Sequence, residues 1–205
     1  MSKVKMSKKA TSIDMTAMCD VAFLLLTFFI LTATAKQPEA LPVDTPASTV
    51  STKLPEKDLA IITIGNKGTV FLGIKGPDVR RKTLENIAQK LNIKFTPEEI
   101  QSFGLMDEFG VPISQLNALL KMKSSERNVE GLQKGIPHDS IENQLKDWVY
   151  AARSANAELH NEPLQFAIKG DAKEQYPAVK KVMDILQDQD VNKFSLITGL
   201  RGKDF

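Results

Sequence analysis

One carboxylate, that of Asp20, lies in a stretch of sequence that is otherwise free of charge. Fifteen residues without Asp, Glu, Lys, Arg or His follow it, up to Ala35. Some 20 apolar residues, each adding about 1.5 Å, cross a hydrocarbon layer of about 30 Å, so the sequence predicts one membrane-spanning helix over residues 13–35. A carboxylate inside such a helix costs on the order of 2.5–3.5 kcal/mol of insertion free energy, and acids found there usually serve a function. Asp20 is therefore the first candidate for a functional residue.

Three threonines share the side of the predicted helix on which Asp20 lies. At about 100° per residue, Thr27 falls about 20° from Asp20 on the helical wheel, and Thr16 and Thr34 each fall about 40° from it. We predict that these four residues form a polar seam that faces protein or water, because a carboxylate facing lipid is costly. A lone helix would expose the seam to lipid, so a partner is required. The alternative is that the threonine hydroxyls only bond to carbonyls of their own helix.

Asp14 precedes this seam in the sequence, and Cys19 lies between two of its members, Thr16 and Asp20. Asp14 lies about 120° from Asp20 on the wheel, and we expect it at the cytoplasmic interface, where the helix dipole favours a carboxylate near the N-terminus. A part in proton entry is a second interpretation of Asp14. Cys19 is the single cysteine, which excludes an internal disulfide and metal sites of several cysteines. We expect Cys19 to pack as a small apolar residue.

Charge and composition predict how the chain is placed in a membrane. With 205 residues and 42% hydrophobic residues, the chain is too polar for a multi-span transporter. Residues 1–12 form a short tail with four lysines, which by the positive-inside rule stays in the cytoplasm. The residues that follow the membrane-spanning helix are then expected to lie outside. The alternative, a signal peptide cleaved after Ala35, is disfavoured by Asp14 and Asp20, because such peptides are rarely acidic there. From residue 36 on, basic and acidic residues balance, so no nucleic-acid partner is expected.

The remainder of the chain divides into a tether and a folded domain. Residues 36–58 contain four prolines and no apolar periodicity, which predicts an extended, semi-rigid tether. Residues 59–205 carry the signals of an α+β domain with helices packed on a small mixed sheet. A hairpin is expected first, and a strand, a helix and a closing strand last. The expected elements are a hairpin of strands 59–64 and 69–74, helices over 79–91, 97–104, 115–122 and 140–159, a strand over 164–169, a helix over 176–187 and a strand over 193–198. Asp78 is expected to cap the helix over 79–91, and Thr96 and Glu99 are expected to form a capping box at the start of the helix over 97–104.

Residues that could carry covalent chemistry in this domain are scarce. His138 and His160 are isolated in the sequence, without a nucleophile or metal ligand at an informative spacing. A Gly-rich phosphate loop, a paired-cysteine site and a GxSxG sequence are all missing. We therefore expect no enzymatic activity, no cofactor and no metal.

The stretch from Asp14 to Val21, DMTAMCDV, leads into FLLLTFF and resembles the start of the membrane helix in the ExbD/TolR family of biopolymer-transport proteins. In that family a polar residue, a threonine and, four positions later, an aspartate open the single span. The ending is also similar: strand LQFAIKGDA, then YPAV and KKVMDIL, then strand FSLIT. Two departures stand out. Ala17 replaces the proline of many members, and residues 92–161 look like an insertion that either recognises a partner or enlarges the domain.

The resemblance implies a subunit of a motor in the bacterial inner membrane, with the N-terminus in the cytoplasm and most of the chain in the periplasm. A homodimer of the chain would sit among multi-span ExbB/TolQ-like subunits, and Asp20 would relay protons. Thr16, Thr27 and Thr34 would support it. The periplasmic domain would pass force to a TonB- or TolA-like protein that spans the periplasm.

Two other functions remain open from the sequence. The motor could be TolR-like and drive envelope constriction rather than import across the outer membrane. The chain could instead be a single-pass anchored scaffold or binding protein, in which Asp20 only fixes how helices pair.

Overall fold

A computed structural model of the chain describes residues 15–33, 39–48, 53–65, 68–129, 131–139, 142–172, 174 and 176–200. These residues fall into two compact units. The first contains the N-terminal helix, and the second contains all the later helices and strands. This organisation confirms the predicted fold class, an apolar N-terminal helix followed by a small α+β domain with a mixed sheet.

The first unit contains helix α1, Met15–Thr32, which has 18 residues. Its sequence has neither Gly nor Pro, so nothing in it interrupts the helix. The helix is long and apolar enough to cross a membrane, and none of its residues is buried within the chain. Because such a surface is unstable in water, α1 requires lipid or a protein partner around it.

The second unit is built on a five-stranded mixed sheet. Strands β2, Leu59–Gly65, and β3, Thr69–Ile74, form the predicted antiparallel hairpin. Strand β5, Gln165–Gly170, runs parallel to β2, and β6, Phe194–Ile197, runs parallel to β5. The short strand β4, Glu108–Phe109, pairs with β3 at the other edge. The order β4-β3-β2-β5-β6 confirms the predicted mixed sheet and its strand–helix–strand ending.

Helices share one hydrophobic core with alternate residues of the sheet. The helices of this unit are α2, Pro77–Leu91, α3, Pro97–Gly104, α4, Ile113–Lys121, α5, Ser124–Arg127, α6, Gln144–His160, and α7, Tyr176–Gln187. The sheet contributes Ala60, Ile62, Ile64, Leu72 and Ile168 to this core, and the helices contribute Leu84, Ile87, Leu116, Trp148 and Val182. Side chains alternate between the faces of a strand, so these sheet residues all point to the helix layer.

Residues 92–161, the predicted insertion, contribute many of the buried side chains of this core. Helix α6 packs along α2, and Trp148 of α6 is fully buried. The Trp148 ring stacks on Phe103 at a centroid distance of 5.8 Å and meets the edge of Phe109 at 4.7 Å. The aromatic cluster therefore joins α3, β4 and α6. That this segment is an insertion relative to smaller relatives stays a prediction.

Residues 39–48, which we call the strap, belong to the second unit and contact its C-terminal part. The backbone N–H of Ala172 donates to the carbonyl of Asp44 at 2.7 Å, and that of Gly199 donates to Pro46 at 2.9 Å. Strand β1, Ala47–Ser48, then pairs in parallel with β7, Gly199–Leu200. Part of the segment predicted to be a tether thus contacts the domain. The backbone of the strap is extended and forms no helix. Its carbonyl groups are therefore not used in helical hydrogen bonds and can accept bonds from Ala172 and Gly199.

The starts of two helices differ in how well the sequence predicted them. The predicted capping box of α3 is confirmed: the N–H of Glu99 donates to Thr96 Oγ1 at 3.3 Å, and the N–H of Thr96 donates to Glu99 Oε2 at 2.8 Å. The prediction that Asp78 caps α2 is wrong. Helix α2 begins at Pro77, so Asp78 lies within its first turn, and the N-cap position falls on Gly76, which has φ of 92° and no side chain that could cap the helix.

The start of α6 also differs from the predicted start at residue 140. Helix α6 begins at Gln144, and Asn143 Oδ1 accepts the backbone N–H of Lys146 at 3.1 Å. An Asn side chain that accepts this bond makes a better helix start than the residues before it. Ser140 and Ile141 lie outside the described residues.

Candidate functional site

The carboxylate of Asp20 lies on α1 with its side chain exposed. Thr16 and Thr27 belong to the same uninterrupted helix, so the spacing of four and seven residues keeps them on the Asp20 side. The rest of the surface is strongly apolar, as the exposed fractions of Phe23, 68%, and Leu31, 85%, illustrate. The helix thus presents one acid and two hydroxyls on the Asp20 side and one further hydroxyl, that of Thr32, elsewhere on a surface that otherwise suits lipid.

The hydroxyl of Thr27 is already bonded within the helix. Its Oγ1 donates to the carbonyl of Leu24 at 2.9 Å, as Thr32 Oγ1 does to Phe28 at 2.8 Å. The alternative stated for the threonines, bonding to their own helix, therefore occurs at Thr27. A hydroxyl oxygen that donates its proton keeps acceptor capacity, so Thr27 can still receive a bond from water or a partner.

Two of the residues predicted for this site lie outside the described part of the chain. They are Thr34, the last residue of the polar seam, and Asp14, the acid before it. The roles predicted for all five residues stay predictions. The chemistry open to the described part of the site is proton binding and release by one carboxylate.

A second polar site, which the sequence did not predict, joins the strap to the sheet. Lys169 Nζ of β5 lies 2.7 Å from Glu39 Oε2 of the strap, and the Lys169 side chain is only 20% exposed. Thr63 of β2 is the register partner of Lys169 and is 1% exposed. The side chain of Glu108 on β4 forms a hydrogen bond with Thr63. Two acids and one lysine therefore meet on the sheet face opposite the helices.

The pKa of Glu108 is raised above its ordinary value. Burial is the main cause, since it penalises the charged form, and the nearby charges of Glu39 and Asp107 act in the same direction. The hydrogen bond from Thr63 and the charge of Lys169 oppose the rise. The only sequence signal for this polar site was the alternation of apolar and polar residues in the predicted strand 164–169, which contains Lys169. The position of Glu108 gave no signal, because a two-residue strand such as β4 is too short to show a periodicity.

His160, which the sequence analysis treated as isolated, has charged neighbours. It ends α6, and its Nδ1 contacts Asp58 Oδ1 while its Nε2 lies 3.8 Å from Asp78 Oδ2. The helix end, the start of β2 and the first turn of α2 are joined there. His138 makes a local contact only, from Nδ1 to the Ile136 carbonyl at 3.2 Å. No cluster of His, Cys, Asp and Glu that suits a metal ion is found within the described residues.

An open groove lies between α6 and the edge strand β6. Tyr150 and Arg153 line it from α6, and Phe166, Lys193 and Phe194 line it from the sheet side. The Arg153 guanidinium donates to the Gln189 carbonyl, so it fixes the loop after α7. The groove has charges of both signs and no cluster of catalytic groups.

These features define a class of protein. One apolar helix with a single acid, long enough to cross a membrane, precedes a small α+β domain. A membrane-anchored protein that works through contacts with partners fits this combination.

A family model described as biopolymer transport protein ExbD/TolR matches residues 6–200, nearly the whole chain. The chain therefore belongs to the ExbD/TolR family. Membership supports a part in energising biopolymer transport in general and implies a membrane-associated complex with ExbB/TolQ-like subunits. Neither the curated proteins nor the solved structures contain a match to the chain.

Proposed function

We propose that this chain is the proton-relaying subunit of an inner-membrane motor of the ExbB–ExbD type, which uses the proton motive force to energise TonB-dependent transport across the outer membrane. The observation that carries the proposal is the single carboxylate, Asp20, on an otherwise uncharged helix that suits a membrane. An acid retained at that cost needs a use, and binding a proton is what it offers.

The energy scale supports repeated proton transfer rather than one large step. One elementary charge moved through about 100 mV releases about 2.3 kcal/mol, which is enough to bias a conformational step. In this proposal Asp20 takes up and releases protons within a ring of multi-span ExbB/TolQ-like subunits, around a homodimer of this chain. The threonines of the seam hold water near the acid, and the chain itself performs no covalent chemistry.

The proposed orientation of the chain across the membrane follows from the distribution of charged residues in the sequence. The lysine-rich residues 1–12 stay in the cytoplasm, and the domain lies in the periplasm, where it contacts a TonB- or TolA-like protein. The chain then connects an event in the membrane to a protein that reaches the outer membrane.

The experiment replaces Asp20 by Asn, which keeps the size and removes the titrating group. We expect Asp20→Asn to insert and to co-purify with its ExbB/TolQ-like partner at wild-type levels, while energised uptake through outer-membrane receptors falls to background. The matched control is Thr32→Val, a polar residue of the same helix that lies about 120° from Asp20. Full uptake together with normal outer-membrane constriction in Asp20→Asn would reject the relay and favour an anchored scaffold.

The same strains separate import from envelope constriction. If Asp20→Asn leaves uptake unchanged but produces cells with delayed outer-membrane constriction, the motor is TolR-like. Co-purification then identifies a TolA-like rather than a TonB-like protein with the wild-type complex.

A further inference from the structure

The strap contacts the rest of the second unit at several points along its length. At its first residue, Glu39 Oε2 lies 2.7 Å from Lys169 Nζ of β5. Further along, the backbone N–H groups of Ala172 and Gly199 donate to carbonyl groups of the strap, at 2.7 Å and 2.9 Å. At its end, β1 pairs in parallel with β7. The strap is therefore held from its first residue to its last.

Leu41 of the strap packs into a notch that a glycine leaves in the sheet. A Cβ atom on Gly65, the last residue of β2, would lie only 2.7 Å and 3.0 Å from the two Cδ atoms of Leu41. Gly65 lies on the face opposite the helices, because its neighbour Ile64 belongs to the core and successive side chains alternate between faces. A side chain at position 65 would displace Leu41, so the notch is a specific seat for the strap.

The position of the strap in the chain determines what its release would do. Residues 34–38 precede it and connect it to the helix unit, and β2 begins after it at Leu59. While the strap is docked, residues 49–58 only connect two fixed points of the same unit. Release adds all of residues 39–58 to the connection, which is at most about 70 Å of chain, since an extended chain spans at most about 3.3–3.6 Å per residue.

A pull that arrives through residues 34–38 loads the strap from its first residue. The ion pair of Glu39 with Lys169 carries the load first, Leu41 in its notch comes next, and the backbone bonds follow in chain order. The Glu39 side chain is 43% exposed, and ion pairs that are open to solvent contribute little to stability. The contact that is loaded first is therefore a weak one, and each later contact is loaded only after the one before it has opened.

We propose that the strap is a releasable reserve of chain length, which peels from the domain from Glu39 towards Ser48 and lengthens the connection between α1 and the domain. The contacts that hold it are individually small, and docking orders the whole strap at a cost in conformational entropy. The docked and released states are therefore close in free energy. The five-stranded sheet contains no residue of the strap, so it stays folded in both states.

Neighbouring amides report the strap and the sheet separately. The N–H groups of Ala172 and Gly199 donate to the strap, whereas the N–H of Asp171 donates to the carbonyl of Ile64 in β2 at 3.0 Å. We would measure hydrogen exchange of these amides in the full chain in nanodiscs. We expect Ala172 and Gly199 to exchange through a local opening that leaves Asp171 protected, with protection about tenfold or more below that of Asp171.

The decisive variant is Gly65→Ala, which places a methyl group in the notch. We expect it to lower the protection of Ala172 and Gly199 by about tenfold, because Leu41 loses its seat and much of its burial. The protection of Asp171 should stay unchanged.

Two further variants test whether the notch is the cause. Gly170→Ala on β5 is the matched control, because a Cβ atom there would meet nothing within 4 Å, and it should keep wild-type protection. Leu41→Ala should lower the protection of the strap-bonded amides by itself. Added to Gly65→Ala, it should lower it little further, since both substitutions act on the same contact.

The released length is measured by pulling on the full chain in detergent micelles with optical tweezers. Handles are attached through Lys36→Cys, before the strap, and Leu105→Cys, at an 81% exposed position of the domain, in a Cys19→Ala background. We expect a reversible step at low force that adds at most about 70 Å of chain, followed by unfolding of the domain. Gly65→Ala should lower the force of the first step alone, and Gly170→Ala should leave both steps as in the wild type.

Three results would overturn the reserve. The strap-bonded amides could lose protection only together with Asp171, Gly65→Ala could behave as Gly170→Ala does, or strap and domain could open in a single step under force. Neither measurement needs an energised membrane. Failure of the reserve therefore leaves the proton relay at Asp20 untouched, and failure of the relay leaves the reserve untouched.

Discussion

At the scale of single residues, Thr27 and Thr32 form a natural pair for testing the polar seam. Both hydroxyls donate to carbonyls of α1, at 2.9 Å and 2.8 Å, so both are bonded within their own helix. They differ in position, since Thr27 lies about 20° from Asp20 on the wheel and Thr32 about 120°. Any difference between their substitutions therefore reports the seam.

We predict that Thr27→Val lowers energised uptake several-fold, because it removes the oxygen that can hold water beside Asp20. Thr32→Val is expected to leave uptake unchanged. Uptake rates are compared at equal amounts of inserted protein, measured by membrane fractionation and immunoblotting. Equal uptake rates in the two variants would show that the Thr27 hydroxyl serves only its hydrogen bond with Leu24 and does not assist Asp20.

The two polar sites differ in how far the sequence could predict them. Asp20 was predictable because the lack of charge around it is a property of the sequence alone. Glu108 was not, since its environment comes from Thr63 and Lys169, which are distant in the sequence and meet it only through strand pairing. The contacts of His160 with Asp58 and Asp78 escaped prediction for the same reason.

At the scale of elements, the start of α3 shows a helix terminus set by local sequence. Both bonds of its capping box are present, between Thr96 and Glu99. We predict that Thr96→Ala lowers the free energy of unfolding by about 1 kcal/mol, the usual cost of losing an N-cap side chain. Urea denaturation followed by circular dichroism provides the measurement. Ser102→Ala in the same helix, for which we expect almost no change, is the control, and an equal loss in both variants would contradict the prediction.

Elements that depend on local signals were predicted, and those that depend on distant contacts were not. The hairpin of β2 and β3 follows from two β-branched runs around a Gly-containing turn, and its strands match the predicted bounds within a residue. The strap has the composition of a linker, and that composition cannot reveal that Ala172 and Gly199 would supply donors to it. Strand β4 is two residues long and is likewise defined by its partner on β3.

At the scale of the whole molecule, the question is whether residues 92–161 are an attached module or part of the domain. The buried cluster of Trp148, Phe103 and Phe109 lies in the same core as Ile168 of β5, which comes after the segment. A shared core predicts that the segment and the rest of the domain unfold together. The chain contains one tryptophan, so its fluorescence reports the segment, whereas circular dichroism reports all helices and strands.

We predict that the fluorescence of Trp148 and circular dichroism give coincident urea transitions for the full chain in detergent micelles. Ile168→Ala should shift both transitions equally and lower the free energy of unfolding by about 2–5 kcal/mol, because it leaves a cavity in the shared core. Leu105→Ala, at a position within the segment that is 81% exposed, should move neither. If Ile168→Ala shifted the circular dichroism transition and left the Trp148 transition in place, residues 92–161 would fold as a separate module. The position of Glu108 beside Thr63 would then depend on the stability of that module, because β4 belongs to it.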